Sequence, residues 1–216
     1  MIKPLDILFD LDGTIHDPAP GIIGSVQVAL RGLGLPVPDA NALRWVIGPP
    51  LRQTFPELGV HTNDLDAALE LYRETYRNGA MYDAVVYPGI PEMLQQLVSR
   101  NHRLIIATSK PHVFARPILV RLGLATRFAA IHGAELDGVR DDKADLIAHI
   151  LATERVDAAR AIMIGDRKFD CIGAAKNRLA CIGVLWGYGS ADELREAGAT
   201  KLVATPGQLI SAIALL

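Results

Sequence analysis

The sequence predicts an α/β fold: a parallel, Rossmann-like sheet with helices on both faces, plus an inserted α-helical domain. Three observations lead to this prediction. Short apolar runs typical of buried strands alternate with helix-length segments along most of the chain. The alternation is interrupted once, from Pro18 to Met81, where the pattern favours helices alone. Polar and charged side chains recur where the apolar runs end, and such sheets bind ligands beyond the carboxyl ends of their strands.

The apolar runs and the segments between them define the predicted elements. The following runs are predicted as strands: Leu5–Phe9, Arg103–Ala107, Ala129–His132, Ala161–Ile164, Cys181–Leu185 and Lys201–Ala204. The following segments are predicted as helices: Pro91–Arg100, Pro111–Leu122, Lys143–Glu154, Phe169–Asn177 and Ala191–Glu196. Pro117 lies inside the second of these helices, so we expect a kink or a late helix start there.

The inserted stretch is predicted to be helical. Its clearest helices are Gly21–Leu33, Asn41–Ile47 and Asn63–Asn78. In the last one, Leu65, Leu69, Tyr72 and Tyr76 recur at spacings of three and four residues, which places them on one helical face. We therefore expect two domains, an α/β core formed by residues 1–16 and 83–216 and a helical cap domain formed by residues 17–82.

The composition is that of an ordinary globular protein. Half of the 216 residues are apolar, and the formal net charge is -2. This balance gives no basic surface for a nucleic acid polymer or an anionic lipid. No apolar run approaches the roughly 20 residues of a membrane span, and the N-terminus lacks the regions of a signal peptide. We therefore expect a soluble, cytoplasmic protein.

Two carboxylates stand at the end of the first apolar run, in the stretch "FDLDGT". Asp10 and Asp12 are close enough to repel each other, and burying them is costly unless a positive group lies between. Asp166, at the end of the run "AIMIG", supplies another carboxylate at the same edge of the predicted sheet. Because Mg²⁺ takes oxygen ligands, we predict a magnesium site between Asp10 and Asp166.

Groups that bind phosphate are predicted beside this cation. Thr108, Ser109 and Lys110 follow the second core strand, and Lys143 stands at a predicted helix start. A phosphate can lie between the cation, the Thr108 hydroxyl and the Lys143 ammonium. Asp170 follows Asp166 by four residues, where it either orients other groups or simply caps a helix.

The order of these residues resembles the haloacid dehalogenase superfamily over essentially the whole chain. "DLDGT" is similar to its first motif, Thr108 of "IIATS" to its second, Lys143 to its third and "GDRKFD" to its fourth. The segments "GPPL", "SKP" and "GVLWGYG" resemble the branch of phosphoglycolate phosphatases and 5'-nucleotidase-like enzymes. The resemblance implies a Mg²⁺-dependent phosphatase for small phosphomonoesters, with phosphoglycolate and nucleoside 5'-monophosphates as the leading substrates.

The resemblance also implies the role of each site residue. Asp10 would attack phosphorus to form an aspartyl-phosphate, and Asp12 would protonate the leaving oxygen and then activate water. Mg²⁺ would be held by the carboxylates of Asp10 and Asp166 and by the backbone carbonyl of Asp12. Further roles are implied for Thr108, Ser109 and Lys143 in phosphate binding and for Asp170 in support. Separately from the resemblance, we expect Arg52, which follows the rigid turn of "GPPL", to reach an anionic group of the substrate.

Other interpretations stay open at this stage. A sugar-phosphate mutase of the same superfamily shares these motifs, although Thr14 favours hydrolysis. A haloacid dehalogenase needs the nucleophile but neither Asp12 nor a metal. A phospho-accepting receiver, which is a switch and not an enzyme, lacks a helical insert after its first strand. We expect a monomer or weak homodimer. We interpret His16 as a linker or cap-facing residue, and Trp186 and Tyr188 as packing, turn or pocket residues.

Overall fold

The chain forms two compact units that differ in architecture. The structure is a computed structural model that describes residues 4–215. One unit runs up to Asp17 and resumes at Val86, and the other is Pro18–Val85. Within the described residues, no helix is both long and apolar enough to cross a membrane.

The first unit contains a parallel sheet, as predicted. The strands of the chain are β1 (Asp6–Phe9), β2 (His16–Asp17), β3 (Val85–Val86), β4 (Arg103–Pro111), β5 (Ala130–Ala134), β6 (Ala161–Gly165), β7 (Ala180–Val184) and β8 (Lys201–Val203). The main sheet has the order β5-β4-β1-β6-β7-β8, with β2 and β3 paired separately. Phe9 at the end of β1 is in register with Ile106 on one side and Ile164 on the other. The strand order therefore reverses at β1, which is the position at which sheets of this kind bind ligands.

Helices cover both faces of this sheet. The helices of the chain are α1 (Ala19–Gly32), α2 (Leu51–Glu57), α3 (Leu65–Arg77), α4 (Ile90–Ser99), α5 (His112–Arg121), α6 (Lys143–Thr153), α7 (Lys168–Lys176), α8 (Ala191–Glu196) and α9 (Pro206–Ala214). Ile7 and Phe9 pack into a core with residues of α4, α5 and α9. Leu8 points the opposite way, into a core with residues of α6, α7 and α8. This alternation along β1 buries both faces, which confirms the predicted α/β class.

The second unit is helical, with α1 and α3 as its long helices. Leu69, Tyr72 and Tyr76 of α3 are buried, as their spacing predicts. The ring of Tyr72 stacks on that of Tyr76 with centroids 5.3 Å apart, and the Phe55 ring meets Tyr72 edge-on at 6.4 Å. These aromatic contacts give the unit a core of its own. Its role as a cap stays a prediction.

One local prediction was wrong. Asn41–Ile47 forms turns and one short 3₁₀ segment, Arg44–Val46, instead of an α-helix. Leu43, Val46 and Ile47 are buried at helical spacing, but a single tight turn buries them equally well. The helix α5 begins at His112 and continues through Pro117, so the late start does not occur, and the alternative of a kink at Pro117 stays a prediction. The predicted strand Arg103–Ala107 is longer than expected, because β4 continues past a register shift to Pro111.

Candidate active site

A tight turn after β1 carries the first two site carboxylates. The amide of Gly13 donates to the His16 carbonyl over 2.9 Å, and the amide of His16 donates back to the Leu11 carbonyl over 3.3 Å. Gly13 has φ +81°, which favours glycine. A Cβ there would lie 2.2 Å from Oδ2 of Asp166. Glycine is therefore required both by the backbone and by the approach of a carboxylate.

Asp10 is buried at the carboxyl end of β1 and paired with a lysine from α6. Lys143 Nζ donates to Asp10 Oδ1 over 2.9 Å and to the Ala107 carbonyl over 2.8 Å. The same ammonium lies 2.8 Å from Oδ1 of Asp170. Burial alone would lower the pKa of Lys143, but the charges of Asp10 and Asp170 outweigh burial and raise it. Lys143 is therefore an ammonium held between two carboxylates.

Asp166 follows β6 and is completely buried. Its Oδ1 accepts a hydrogen bond from the Thr14 hydroxyl over 3.1 Å, and its Oδ2 accepts one from the Tyr188 amide over 2.8 Å. The Trp186 indole donates to the Thr14 carbonyl over 3.0 Å. A Cβ at Gly187 would lie 2.4 Å from the Asp166 side chain, so the loop after β7 fits closely around this carboxylate. Trp186 and Tyr188 thus hold the site together.

Three carboxylates converge in the centre of the site. Oxygens of Asp10, Asp166 and Asp170 all lie within 4.8 Å of one another. Burial, followed by the charges of Asp10 and Asp170, raises the pKa of Asp166 well above its ordinary value. Burial also raises the pKa of Asp170, against the opposing effect of Lys143. These three carboxylates repel one another, and the Lys143 ammonium offsets only part of the repulsion. A hard divalent cation bound between them would relieve the rest, and carboxylate oxygens are the ligands that such a cation prefers.

Asp12 has different partners. Its Oδ2 lies 2.9 Å from Lys110 Nζ, and its Oδ1 lies 3.0 Å from His16 Nε2. Burial alone would raise the pKa of Asp12, but Lys110 and then His16 outweigh it and lower the pKa to about 2. The charged form of Asp12 is therefore stabilised by Lys110 on one oxygen and by His16 on the other.

Thr108 and Ser109 lie where the pairing of β4 with β5 becomes irregular, between Thr108 and Pro111. Thr108 is buried, and its Oγ1 accepts a hydrogen bond from the Lys110 amide over 3.2 Å. Ser109 is half-buried. In a regular strand, successive side chains point to opposite faces of the sheet. The irregularity in β4 frees the residues after Thr108 from this alternation.

Arg52 lies on α2 in the second unit. Its Nη1 is 3.2 Å from Oδ1 of Asp66 on α3, and both side chains are exposed. The structure therefore gives Arg52 a partner within its own unit, and its contact with a substrate stays a prediction.

The structure brings together Asp10, Lys143, Asp166 and Asp170, which the sequence identified from strand ends and a helix start. The contacts of Asp12 with Lys110 and His16 were missed. Lys110 stands in the quoted segment "SKP", but nothing in the sequence pairs it with Asp12. His16 was interpreted as a linker or cap-facing residue, and its position beside Asp12, where it is completely buried, was not predicted.

Comparison with known proteins points to one family. The family model described as haloacid dehalogenase-like hydrolase matches residues 7–184. A 5'-nucleotidase of Pseudomonas aeruginosa is 49% identical over 88% of this chain and 86% of that protein. The tyrosine-protein kinase PtkA of Mycobacterium tuberculosis is 37% identical over 92% of this chain and 68% of that protein. A phosphoglycolate phosphatase of Agrobacterium fabrum is 31% identical over 87% of this chain and 82% of that protein.

A solved structure agrees with these relatives. The crystal structure of a predicted phosphatase from Clostridium acetobutylicum superposes with a TM-score of 0.95. The two sequences are 39% identical, and the match covers 99% of this chain and 100% of the other. The shared fold thus extends over nearly the whole length of both proteins.

Proposed function

The chain belongs to the haloacid dehalogenase-like hydrolase family, and we propose that it hydrolyses small phosphomonoesters through an aspartyl-phosphate on Asp10. The observation that carries this proposal is the setting of Asp10. It is a buried carboxylate at the point where the strand order reverses, paired with Lys143 and close to Asp166 and Asp170. A carboxylate nucleophile with a cation and a lysine beside it has the parts that phosphoryl transfer requires.

The reaction divides between the two aspartates of the first turn. A carboxylate oxygen of Asp10 attacks phosphorus, and the bond between phosphorus and the ester oxygen breaks. Asp12 is ionised in the substrate-free site, and the negative charge of a bound phosphomonoester would raise its pKa so that it takes up a proton. Asp12 gives this proton to the departing oxygen and later removes one from the water that attacks the aspartyl-phosphate. Separate partners for the two carboxylates, Lys143 for Asp10 and Lys110 for Asp12, support this division of labour.

Mg²⁺ is the cofactor that the donor set favours. Carboxylates of Asp10 and Asp166 and the backbone carbonyl of Asp12 would hold it, with Asp170 as a further candidate because its oxygen lies in the same cluster. When bound, the cation offsets the repulsion between Asp10 and an anionic substrate. Thr14 and Tyr188 keep the Asp166 oxygens oriented through their hydrogen bonds.

The phosphoryl group would be bound by Thr108, Ser109 and Lys143. Charge spreads over the equatorial oxygens in the transition state, and fixed hydroxyl and ammonium donors stabilise it there. Lys143 is already buried and oriented by two carboxylates, so it loses little further freedom when substrate binds.

Nucleoside 5'-monophosphates are the leading substrates, followed by phosphoglycolate. The P. aeruginosa relative with 49% identity is named a 5'-nucleotidase, and a phosphoglycolate phosphatase is 31% identical. The Pro18–Val85 unit would act as the cap that selects the leaving group. Arg52 on this unit would contact a second anionic group if the substrate carries one.

A phosphomonoester panel with Mg²⁺ tests the proposal. Phosphate release is measured from nucleoside 5'-monophosphates, phosphoglycolate, p-nitrophenyl phosphate and a phosphotyrosine peptide, with product analysis for isomerised sugar phosphates. We expect fast release from the small esters and little from the peptide. Because one relative is named a tyrosine kinase, labelled ATP with a tyrosine peptide is included. Phosphoryl transfer to the peptide without ester hydrolysis would contradict the proposal.

A further inference from the structure

A buried histidine lies against Asp12. His16 is completely buried, and its Nε2 is 3.0 Å from Asp12 Oδ1. Among the described residues, neither ring nitrogen has a hydrogen-bond partner of good geometry. The ring thus approaches the Asp12 carboxylate closely without a well-directed hydrogen bond. Burying an imidazole without hydrogen bonds is costly, so the position calls for an explanation other than core packing.

The backbone alone accounts for the turn that carries His16. The amide of Gly13 donates to the His16 carbonyl, and the amide of His16 donates to the Leu11 carbonyl. Asp12 and His16 also form a β-bridge. Any residue other than proline can make these backbone contacts at position 16. The imidazole ring is therefore not required to form the turn, and its contact with Asp12 is a separate feature.

The carboxylate of Asp12 is held from two sides. Lys110, from β4, lies 2.9 Å from Oδ2, and His16 lies 3.0 Å from Oδ1. With only Lys110 present, the carboxylate can rotate about that single contact. With one partner on each oxygen, such rotation loses a favourable contact.

From this geometry we propose that His16 is a positioning residue that fixes the Asp12 carboxylate for proton transfer to the leaving oxygen. The inference rests on the proposed function, because it needs Asp12 to act as the general acid. Proton transfer depends steeply on geometry, since donor and acceptor must come within hydrogen-bond reach. A carboxylate that rotates freely spends less time in the productive orientation.

Leaving groups of different basicity test this inference. An alkoxide leaving from a nucleoside 5'-monophosphate needs a proton, whereas p-nitrophenolate is a weak base that leaves without one. Both substrates use the same nucleophile and the same phosphate-binding groups. Loss of Asp12 positioning therefore lowers kcat/KM for the alkyl ester selectively, and a general structural defect lowers both.

Substitutions of His16 distinguish the contact that its ring nitrogen makes with Asp12 from the space that the ring fills. His16→Leu and His16→Phe remove the nitrogen atoms and fill the space, so that one of them tests the inference even if the other fails to fold. We expect kcat/KM for the nucleoside monophosphate to fall about 10-fold or more, and that for p-nitrophenyl phosphate to change less than about 3-fold. His16→Gln retains an N–H donor and should recover part of the loss.

A positive and a negative control accompany the His16 variants. Asp12→Asn gives the full selective loss, and His102→Gln changes a different buried histidine and should leave the ratio between the substrates unchanged. Equal losses on both substrates, or no loss, in folded His16 variants would overturn the inference while the proposed function stands. If the wild-type protein hydrolyses neither ester, the proposed function fails and the inference fails with it.

Discussion

The Nζ atom of Lys143 lies 2.9 Å from Oδ1 of Asp10, joining residues that are 133 positions apart in the chain. Asp10 follows β1 and Lys143 begins α6, so the contact depends on the packing of α6 across the sheet. The same ammonium lies 2.8 Å from Asp170 on α7. Lys143 thus connects the nucleophile of the proposed reaction with the start of a second helix.

Replacing this lysine should destabilise the metal-free protein. Lys143→Met keeps the apolar stem but leaves Asp10 and Asp170 without their ammonium. Removing one partner of a buried ion pair costs about 3–5 kcal/mol. Urea unfolding in EDTA measures the change. Lys176→Met, at an exposed position of α7, is the control and should change stability by less than about 0.5 kcal/mol. A loss no larger than that of the control would show that the Lys143 contacts contribute little.

Mg²⁺ should stabilise the wild-type protein but not Asp166→Asn. The variant removes one of three crowded carboxylates, so the metal-free protein should become more stable. Its amide oxygen can still accept from the Tyr188 amide, and its NH₂ group can donate to Thr14. Wild type gains stability because Mg²⁺ binds only the folded state, by about 2.7 kcal/mol when Mg²⁺ is 100-fold above its Kd.

Thermal unfolding with EDTA and with Mg²⁺ checks this prediction. Glu196→Gln, at an exposed position of α8, is the matched control and should retain the full response to Mg²⁺. A normal Mg²⁺ response in Asp166→Asn would exclude Asp166 as a metal ligand.

The close fit of the loop after β7 makes Gly187 sensitive to substitution. In Gly187→Ala the new Cβ would lie 2.4 Å from the Asp166 side chain and 2.5 Å from the Gly13 carbonyl. Such overpacking costs about 1–3 kcal/mol and displaces Asp166. We expect a lower unfolding free energy and a higher Mg²⁺ concentration for half-maximal activity. In Gly207→Ala on α9, no atom lies within 4 Å of the new Cβ, so neither quantity should worsen. The prediction would be contradicted if Gly187→Ala and Gly207→Ala had the same unfolding free energy and the same Mg²⁺ concentration for half-maximal activity.

His102 should make stability depend on pH. It is buried, and its Nδ1 accepts a hydrogen bond from the Leu5 amide over 3.1 Å. Burial, assisted by Arg100, lowers the pKa of His102 in the folded state. The neutral ring is thus favoured on folding, and its contribution to stability is present above the unfolded pKa of about 6.5 and is lost as pH falls below it.

The comparison of wild type with His102→Gln isolates this effect from other titrating groups. The difference in unfolding free energy between the two proteins should shrink as pH is lowered from about 7.5 to about 5.5. Urea unfolding at several pH values measures it. A difference that is constant across this range would show that His102 keeps its ordinary pKa in the folded protein.

The sequence predicted the sheet because apolar runs of strand length are buried on both faces. The observed bounds of β1 and β6 differ from the predicted ones by a single residue at one end. The helix α2 was missed because the prolines of "GPPL" indicated a turn, yet Pro50 precedes the helix and Pro56 lies in its last turn. The predicted domain boundaries, after residue 16 and before residue 83, lie at or beside the short strands β2 and β3. Such two-residue strands have no periodicity to detect.

The site was predictable wherever it depends on strand ends. Asp10, Thr108 and Asp166 follow apolar runs, and parallel strands bring their carboxyl ends to one edge. The contact between Asp12 and Lys110 was not predictable, because Lys110 lies within an irregular part of β4 that the sequence does not reveal. The position of His16 depends on the turn that Gly13 permits, which folds the chain back onto Asp12.

The most direct test of the account is the rate of phosphate release by Asp10→Asn compared with wild type, at saturating nucleoside 5'-monophosphate and Mg²⁺. The substitution removes the attacking carboxylate with little change of shape, and the proposed reaction has no substitute nucleophile. The account predicts a fall of at least about 10³-fold in a folded variant that keeps its hydrogen bond from Lys143. Substantial turnover by Asp10→Asn would contradict the aspartyl-phosphate mechanism.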